Sequence, residues 1–399
     1  NIDHLAASEN YLLTVEAIQD YLKILTPEGS LIFTVHNRWE LIRLIVNTLY
    51  AMEDNGLSNQ EALNHFIILA EDYAPTIVIK KNAYRPDDMA VINNVIEQLP
   101  PELPHITYQP YHWNQINNTI ENQLLRNIRD NRISLQQYIE QDEFDISPVY
   151  DDSPYFYKIS RGIQRDYLWL LIGVAFFSII LITVPLIKIK KSISKNGMPS
   201  LIFPLKIFIL IGIGFMIIEV TLFQKLILYL GSPTISLSVL LSSLLIGMGI
   251  GSYFGKRIQP ENPSKRLKIV SLAIVIVGVF TILFCPYLLN KLLVYSQVLR
   301  LIVGFILLLP CGFLLGIPFP SALELLKLSN QEKYIPWMYG VNGSMSVLGS
   351  VLAVILSMVC GYTLTFYIGL SFYFIVFLTT LYFYNTHHKA YRGEINVDN

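Results

Sequence analysis

Residues 207–231 read IFILIGIGFMIIEVTLFQKLILYLG. A helix needs about 20 mostly apolar residues to cross a bilayer, and this run is long enough. One carboxylate, Glu219, lies near its middle, and one amide, Gln224, follows five residues later. An ionisable side chain at membrane depth costs about 2.5–3.5 kcal/mol on insertion scales, so it usually has a partner or a role. The run therefore predicts a membrane helix with a candidate functional carboxylate.

The composition of the chain changes near residue 166. Overall, 53% of the residues are hydrophobic and 15% are charged, whereas a soluble protein has about 25% charged residues. Most acidic residues precede residue 166, and the later half is apolar with basic loops. We expect one soluble and one membranous part, and no basic patch indicates a nucleic-acid partner.

Apolar runs of spanning length recur through the second half of the chain. Helices are the expected form, because backbone polar groups must be satisfied internally in lipid. The sequence predicts a seven-helix transmembrane bundle over 167–385, followed by a polar tail at 386–399. The predicted spans are 167–187, 205–230, 233–253, 267–289, 299–322, 337–359 and 362–384.

Small residues recur in these spans at spacings that allow close helix packing. They are Gly212 and Gly214, then Gly247, Gly251 and Gly255, and later Gly349 and Ala353. The glycines of 247–251 loosely match a phosphate-binding loop, but they lie inside a membrane run, and we interpret them as packing residues.

The fifth predicted span contains Pro310 and the segment 316–320, GIPFP. Prolines at these positions should kink or break the helix and release backbone carbonyls from their usual partners. Two interpretations stay open, because a break can line a substrate site in a transporter or be a structural kink.

The first hundred residues alternate helix and strand patterns, so they predict half of an α/β layer. The expected elements are a helix at 10–25, a buried strand at 30–35, a helix at 38–52, a helical turn at 59–64, a hairpin of 65–70 with 76–80, and a helix at 86–99. Residues 101–166 read as a polar helical linker with a surface helix at 118–141.

The segment 149–159, VYDDSPYFYKI, places two carboxylates directly before the membrane. Asp151 and Asp152 could contact a cation or an amine, or they could cap a turn. No metal site is predicted, because His105, His112 and Trp113 have no ligand spacing. The three cysteines, Cys285, Cys311 and Cys360, lie in apolar runs without zinc or disulfide patterns.

Several segments together resemble the spermidine synthase-like multi-pass membrane proteins. The stretch 8–36, SENYLLTVEAIQDYLKILTPEGSLIFTVH, resembles the end of their class I methyltransferase fold. In the membrane half, the similar segments are 212–252 (from GIGFMIIE to GMGIGS), 316–326 (GIPFPSALELL) and 336–353 (PWMYGVNGSMSVLGSVLA). One departure is Ser321-Ala322, where the family usually has glycine.

The resemblance implies that the α/β part is only the fifth strand and closing hairpin of a methyltransferase-like sheet. The cofactor loop and the aspartate-rich active-site segment would precede it. S-adenosylmethionine or its decarboxylated form is then expected only in a full-length protein, and no cofactor is expected for this chain alone. The chain begins with Asn1 and has no signal-peptide pattern, so we expect a preceding piece.

Three functions remain open from the sequence. A full-length protein could be an aminopropyltransferase or methyltransferase acting on a polyamine or another substrate. Alternatively, the bundle could transport or sense a small cation such as a polyamine, with Glu219, Gln224 and Asn342 forming a polar site at mid-depth. A purely structural scaffold is the third. The expected partners are the lipid bilayer and a small amine, in a bacterial-type inner or plasma membrane.

The basic residues give an orientation that conflicts with the enzymatic hypothesis. Most lysines and arginines of the membrane half lie in the loops after spans one, three and five and in the C-terminus. The basic side should be cytoplasmic. With seven spans, the soluble part lies outside the cytosol, where an adenosyl cofactor would not be expected.

Overall fold

The computed structural model describes residues 8–70, 74–98, 105–111, 120–192 and 198–395. The chain divides into two compact units, Asn1–Gly162 and Ile163–Asn399, which we call the N-terminal unit and the membrane unit. The change in composition near residue 166 lies close to this boundary.

The N-terminal unit combines short helices with a small sheet. Its elements are α1 (Val15–Ile24), β1 (Ser30–Thr34), α2 (Arg38–Glu53), α3 (Asn59–Ala62), β2 (Phe66–Ala70), β3 (Thr76–Lys80), α4 (Pro86–Ile96), β4 (His105–Tyr108), α5 (Ile120–Arg129) and α6 (Leu135–Gln141). The helix boundaries follow local capping. Thr14 caps α1 by accepting a hydrogen bond from the Ala17 N–H, and Pro86 occupies the first turn of α4.

The four strands form one sheet in the order β1-β3-β2-β4, with every neighbouring pair antiparallel. The predicted hairpin is confirmed, because β2 pairs with β3 and Ile68 lies opposite Ile77. Strands β1 and β2 both run antiparallel to β3, so they are parallel to each other. The core lies between this sheet and α2, where Leu41, Ile45 and Leu49 are fully buried.

Two sequence predictions for this unit are wrong in detail. Strand β1 is not buried, because Ile32 is 67% exposed and β1 pairs only with β3 among the described strands. The segment 101–166 is not a simple helical linker, because it contributes β4 to the sheet.

The predicted helix at 118–141 is two helices, α5 and α6, separated by Asn131 with φ 54°. A residue with positive φ cannot continue a right-handed helix. Residues 118–119 lie outside the described residues. The apolar face of α5 is buried in the core of the unit, which the polar composition of the segment concealed.

The junction that leads to the membrane unit is held by two buried polar side chains of α2. Arg43 donates to the carbonyls of Phe156 (2.8 Å) and Lys158 (2.6 Å). Asn47 donates to the Leu13 carbonyl at 2.7 Å and accepts from the Val149 N–H at 2.9 Å. Burial lowers the pKa of Arg43 to about 10. The bonds of Arg43 satisfy buried carbonyls of an irregular segment, and those of Asn47 join the segment to the residues before α1.

The membrane unit is built from long apolar helices. They are α7 (Arg165–Ser192), α8 (Met198–Leu230), α9 (Pro233–Phe254), α10 (Pro263–Leu292), α11 (Gln297–Leu315), α12 (Pro318–Leu328) and α13 (Ile335–Ile395). Among the described residues, six helical stretches are long and apolar enough to cross a membrane, so the chain is a multi-pass membrane protein.

The predicted break in the fifth span is confirmed at 316–318, whereas Pro310 lies inside the continuous helix α11. Helix α11 ends at Leu315, and α12 begins at Pro318 after Gly316 and Ile317. Proline is well suited to the first helical position because it needs no amide hydrogen there. The Ser321 hydroxyl donates to the Ile317 carbonyl at 2.8 Å and supports the start of α12.

Helix α13 reverses direction at Gly361, which has φ 80° and ψ 168°. Residues 342 and 372 would be about 45 Å apart in a straight helix at about 1.5 Å per residue. Both nevertheless pack against one turn of α8, because Asn342 contacts Gly212 and Phe372 contacts Gly214. The residues before and after Gly361 therefore form two arms, 335–360 and 362–395, that lie beside α8.

Glycines allow α9 and α11 to pack at backbone distance, as the sequence predicted. A Cβ on Gly247 would lie 2.7 Å from the Leu309 carbonyl oxygen, and one on Gly312 would lie 2.9 Å from the Cα of Leu244. The glycines at 247, 251 and 255 thus face α11 and the residues that follow it rather than a ligand. The packing interpretation is confirmed, and this segment is not a phosphate-binding loop.

Candidate functional site

Glu219 is the main candidate site residue in the membrane unit. It lies within the apolar span Leu201–Leu230 of α8, and its side chain is half-buried. Among the residues that the structure describes, Glu219 has no hydrogen-bond or ion-pair partner. A carboxylate in this position is expensive to keep charged and, by default, marks a functional site.

The face of α8 that carries Glu219 can be located from its neighbours in the helix. Gly212, Glu219 and Leu226 are spaced by seven residues, or about two helical turns, so they share one face. Gly212 packs against Asn342 in the first arm of α13, and the Leu226 side chain contacts Gly304 of α11. Glu219 therefore lies on a face of α8 that is bordered by α13 and α11.

Asn342 acts as a structural link between α13 and α8. Its Nδ2 donates to the Phe208 carbonyl at 3.0 Å. This contact lies at the level of Gly212, and Glu219 is two turns, or about 10 Å, further along α8. Interhelical bonds of this kind contribute modestly, about 0.6 kcal/mol on average. Asn342 is thus not brought together with Glu219.

Gln224 lies on another face of α8. Five residues separate it from Glu219, which corresponds to a rotation of about 140° around the helix axis. Its side chain is partly buried and has interactions within the structure. The structure therefore separates the three polar residues of the expected mid-depth site, and Glu219 is the one whose carboxylate has no partner among the described residues.

Lys225 was not predicted as a site residue, although it lies inside the predicted span 205–230. The structure places its Nζ 2.9 Å from the Thr363 hydroxyl, two residues after the reversal of α13. The Thr365 hydroxyl donates to the Gly361 carbonyl at 2.7 Å. The signal in the sequence was a lysine inside an apolar span, but the sequence could not identify its partner, Thr363, which is 138 residues away.

Arg266 directly precedes the predicted span 267–289, and the structure buries it. It is 1% exposed, and its guanidinium contacts the Glu324 carboxylate at 2.8 Å. It also donates to the Ile258 carbonyl at 2.9 Å. The pair joins the start of α10 to α12. Since its donors have partners, we interpret Arg266 as a structural residue.

Asp151 belongs to a turn in the N-terminal unit. Its carboxylate accepts a hydrogen bond from the Thr14 hydroxyl at 2.7 Å, and its backbone N–H donates to Glu16 at 3.0 Å. Asp152 follows in the same turn and is half-buried. Burial, and then the charges of Asp151 and Asp152, raise the pKa of Glu16. These bonds join the turn to the start of α1.

Metal and thiol chemistry find little support in the described part of the chain. It contains no group of three histidine, cysteine or acidic residues that could hold a metal ion. The three cysteines are free thiols, and Cys311 lies 3.4 Å from the Thr281 hydroxyl. His112 and Trp113 lie outside the described residues.

Comparisons with known proteins provide no family assignment. No family model matches the sequence, no curated protein is significantly similar to it, and no solved structure is significantly similar to its fold. The functional argument therefore depends on the chemistry of the site itself.

Proposed function

We propose that the membrane unit binds a small cation at Glu219 and acts as a transporter or sensor of that cation. The observation that carries the proposal is the Glu219 carboxylate, which lies in a membrane span without a partner among the described residues. An ammonium group or a metal cation would supply the missing charge. A polyamine is the class that the family resemblance suggests.

The neighbouring polar residues support this choice by being occupied elsewhere. Asn342 is used in the contact with Phe208, and Lys225 is used in the contact with Thr363. Leaving a charge uncompensated at membrane depth costs about 2.5–3.5 kcal/mol on insertion scales. A bound cation would remove much of that cost, so Glu219 is poised for a ligand rather than for structural pairing.

We also propose seven membrane spans, with the two arms of α13 as separate spans. At about 1.5 Å per residue, the arm 335–360 is about 39 Å long, and residues 362–382 extend about 31 Å. Either length suits a hydrocarbon core of about 30 Å. Seven spans and basic cytoplasmic loops put the N-terminal unit outside the cytosol of a bacterial-type membrane, which favours transport or sensing over adenosyl chemistry.

The proposal is tested by cation binding to the full chain in liposomes, with spermidine as the probe. We expect Glu219→Gln to weaken spermidine binding by about tenfold or more, the equivalent of one charge-assisted hydrogen bond. Glu219→Asp should retain part of the affinity. The control is Glu332→Gln, which removes an exposed carboxylate outside the apolar part of the bundle. Unchanged spermidine affinity in correctly folded Glu219→Gln would exclude this role.

A second function, adenosyl-dependent transfer in a longer protein, has one specific observation in its favour. Strands β1 and β2 are parallel, with the antiparallel β3 between them. This order suits the fifth strand and closing hairpin that the resemblance implies. The outer edge of β1 pairs with no described strand, so further strands could extend the sheet.

Reading the coding sequence upstream of Asn1 tests the second function. A strand followed by a glycine-rich turn and an acidic ribose ligand is the expected cofactor segment. The product of the longer reading frame should then bind S-adenosylmethionine in equilibrium dialysis, and the present chain should not. Absence of the segment, or of binding by the longer product, would exclude the transferase.

A further inference from the structure

An open cavity of about 410 Å³ lies in the N-terminal unit, apart from the residues discussed above. It is bordered by the C-terminal ends of α1 and α2 and by the start of the β2 strand. Ligand sites in proteins commonly have volumes of about 300–1,000 Å³. The size alone permits a small organic molecule.

The cavity has an apolar wall. Leu22 of α1 and Met52 of α2 line it and are 7% and 2% exposed, so both side chains are fixed by the core behind them. Leu57 adds a third apolar side chain. The wall would contact an aromatic ring or a short aliphatic chain.

All of the ionisable side chains that line the cavity are bases. They are Lys23, His65 and Lys81, and no carboxylate of the described residues lines it. Lys23 is exposed, and its ammonium is paired with Asp20 at 2.8 Å. The two bases that remain for a ligand are therefore His65 and Lys81.

His65 is 8% exposed, and its Nδ1 lies 3.2 Å from the Lys80 carbonyl oxygen. A carbonyl can only accept, so Nδ1 carries the proton in this contact. The other ring nitrogen, Nε2, has no partner among the described residues. A buried histidine with one unused nitrogen is a specific polar contact for a ligand in the cavity.

Lys81 is positioned by the end of α1. Its Nζ donates to the Leu25 carbonyl at 2.6 Å and to the Lys23 carbonyl at 3.2 Å. An ammonium has three donors, so one remains after these two bonds. Within the described ranges, no carboxylate is paired with Lys81. Its charge is fixed in place and available to an anion.

Local hydrogen bonds occupy part of the polar groups at the end of α2. The Asn55 side chain donates to the Ala51 carbonyl at 3.0 Å, and the Leu57 N–H donates to the Met52 carbonyl at 3.1 Å. The Gly56 N–H donates to the Glu53 carbonyl at 2.8 Å. The Asn55 Oδ1 remains as a neutral acceptor in the lining, whereas the charged groups that line the cavity among the described residues are bases and favour an anion.

We propose that this cavity binds a small amphipathic organic anion, a carboxylate attached to an aromatic ring or a short apolar chain. The carboxylate contacts the ammonium of Lys81 and, when the ring is protonated, Nε2 of His65. The apolar body packs against Leu22, Met52 and Leu57.

The test compares three probes that share one apolar body and differ in charge. They are 2-naphthoate, the neutral 2-naphthalenemethanol and the cationic 2-naphthylmethylammonium. Binding to the full chain in nanodiscs is measured by titration calorimetry, with empty nanodiscs subtracted to remove partition into lipid. We expect 2-naphthoate to bind about tenfold more tightly than either of the others, as one charge-assisted hydrogen bond would give.

Three variants locate the binding. Lys81→Met should remove the preference for the anion, and Leu57→Trp should fill the cavity and weaken all three probes. Arg132→Gln, a surface change at a side chain that is 68% exposed, should leave the affinities unaltered. Leu57→Trp keeps the bonds of Lys81, so it remains informative if Lys81→Met fails to fold. Equal binding of the anion and the amine, or binding that is unaltered by Leu57→Trp, would overturn the proposal.

Discussion

Replacing Gly247 by alanine should separate α9 from α11. A Cβ at this position would lie 2.7 Å from the Leu309 carbonyl oxygen and 2.8 Å from the Phe313 nitrogen. An ordinary contact begins at 3.4 Å, so the helices must move apart by several tenths of an ångström. The contacted atoms belong to the backbone and cannot rotate away. Overpacking of this kind typically costs about 1–3 kcal/mol.

Gly249 provides a matched control in the same helix. A Cβ there would meet nothing within 4 Å, so Gly249→Ala changes helix propensity without a clash. The gain in propensity, about 0.5–1 kcal/mol in an exposed helix, applies to both variants and largely cancels when they are compared. The free energy of unfolding of Gly247→Ala should therefore be about 1–3 kcal/mol lower than that of Gly249→Ala.

The assay is equilibrium unfolding of the purified chain in mixed micelles with increasing sodium dodecyl sulfate. Tryptophan fluorescence and helical circular dichroism should give coincident transitions if the comparison is to hold. Equal free energies of unfolding for the two alanine variants would refute the close approach of α9 and α11. A Gly247→Ala variant that is more stable than Gly249→Ala would refute it more strongly.

Three further predictions concern single side chains. Arg43→Met should lower the free energy of unfolding, measured by chemical denaturation, by several kcal/mol, since each buried carbonyl left without a donor costs about 1–3 kcal/mol. The exposed control, Arg132→Met, should have little effect in the same measurement. The pKa of Glu16 is raised by burial, so its carboxyl stabilises the fold below the ordinary pKa and loses that contribution as pH rises through the raised value. Glu16→Gln should therefore gain stability relative to wild type between about pH 4 and pH 7 in thermal melts. Gly361→Ala should lower the free energy of unfolding by about 1–3 kcal/mol in the micelle assay, because φ 80° with ψ 168° suits only glycine. Gly343→Ala is the control and should not lower it, because a Cβ at Gly343 would have no atom within 4 Å.

Each of these predictions has a result that would contradict it. A wild-type response of Arg43→Met to denaturant would mean that the buried guanidinium does not hold the junction. A constant stability difference between Glu16→Gln and wild type across that pH range would mean that the carboxyl is not perturbed. A Gly361→Ala variant as stable as wild type would show that the reversal of α13 does not need a residue with positive φ.

The features that the sequence predicted well are those set by local chemistry. Helix α4 begins at Pro86, as the sequence predicted. The first helix was predicted to begin at residue 10, but it begins at Val15 after the Thr14 cap. The glycines of α9 and the break between α11 and α12 also follow from residue type and spacing. These signals act over a few residues, so no knowledge of the tertiary partner is needed.

The features that the sequence did not reveal depend on distant partners. The apolar run of β1 reads as buried, but its exposure is decided by which strands and helices pack against it. Strand β4 lies in a polar segment and is recognised only through its pairing with β2. The contacts of Lys225 and Arg266 were not predicted because their partners, Thr363 and Glu324, are far away in sequence. For the candidate site, Glu219 lies within an apolar span, as the sequence predicted. The five-residue spacing already places Gln224 on another face of the helix. The sequence could not show that Asn342 contacts the Phe208 carbonyl, because that contact depends on tertiary packing.

The position of α8 between the two arms of α13 has a consequence for biosynthesis. Helix α8 ends at Leu230, and the residues that cover its glycines begin only at about residue 342. A ribosome must therefore complete more than a hundred further residues before these surfaces can meet. During that interval, the surfaces of Gly212 and Gly214 that α13 later covers are open to lipid, the translocon or a chaperone. Chains that terminate before α13 would keep this surface uncovered, which is a signal that membrane quality control could recognise.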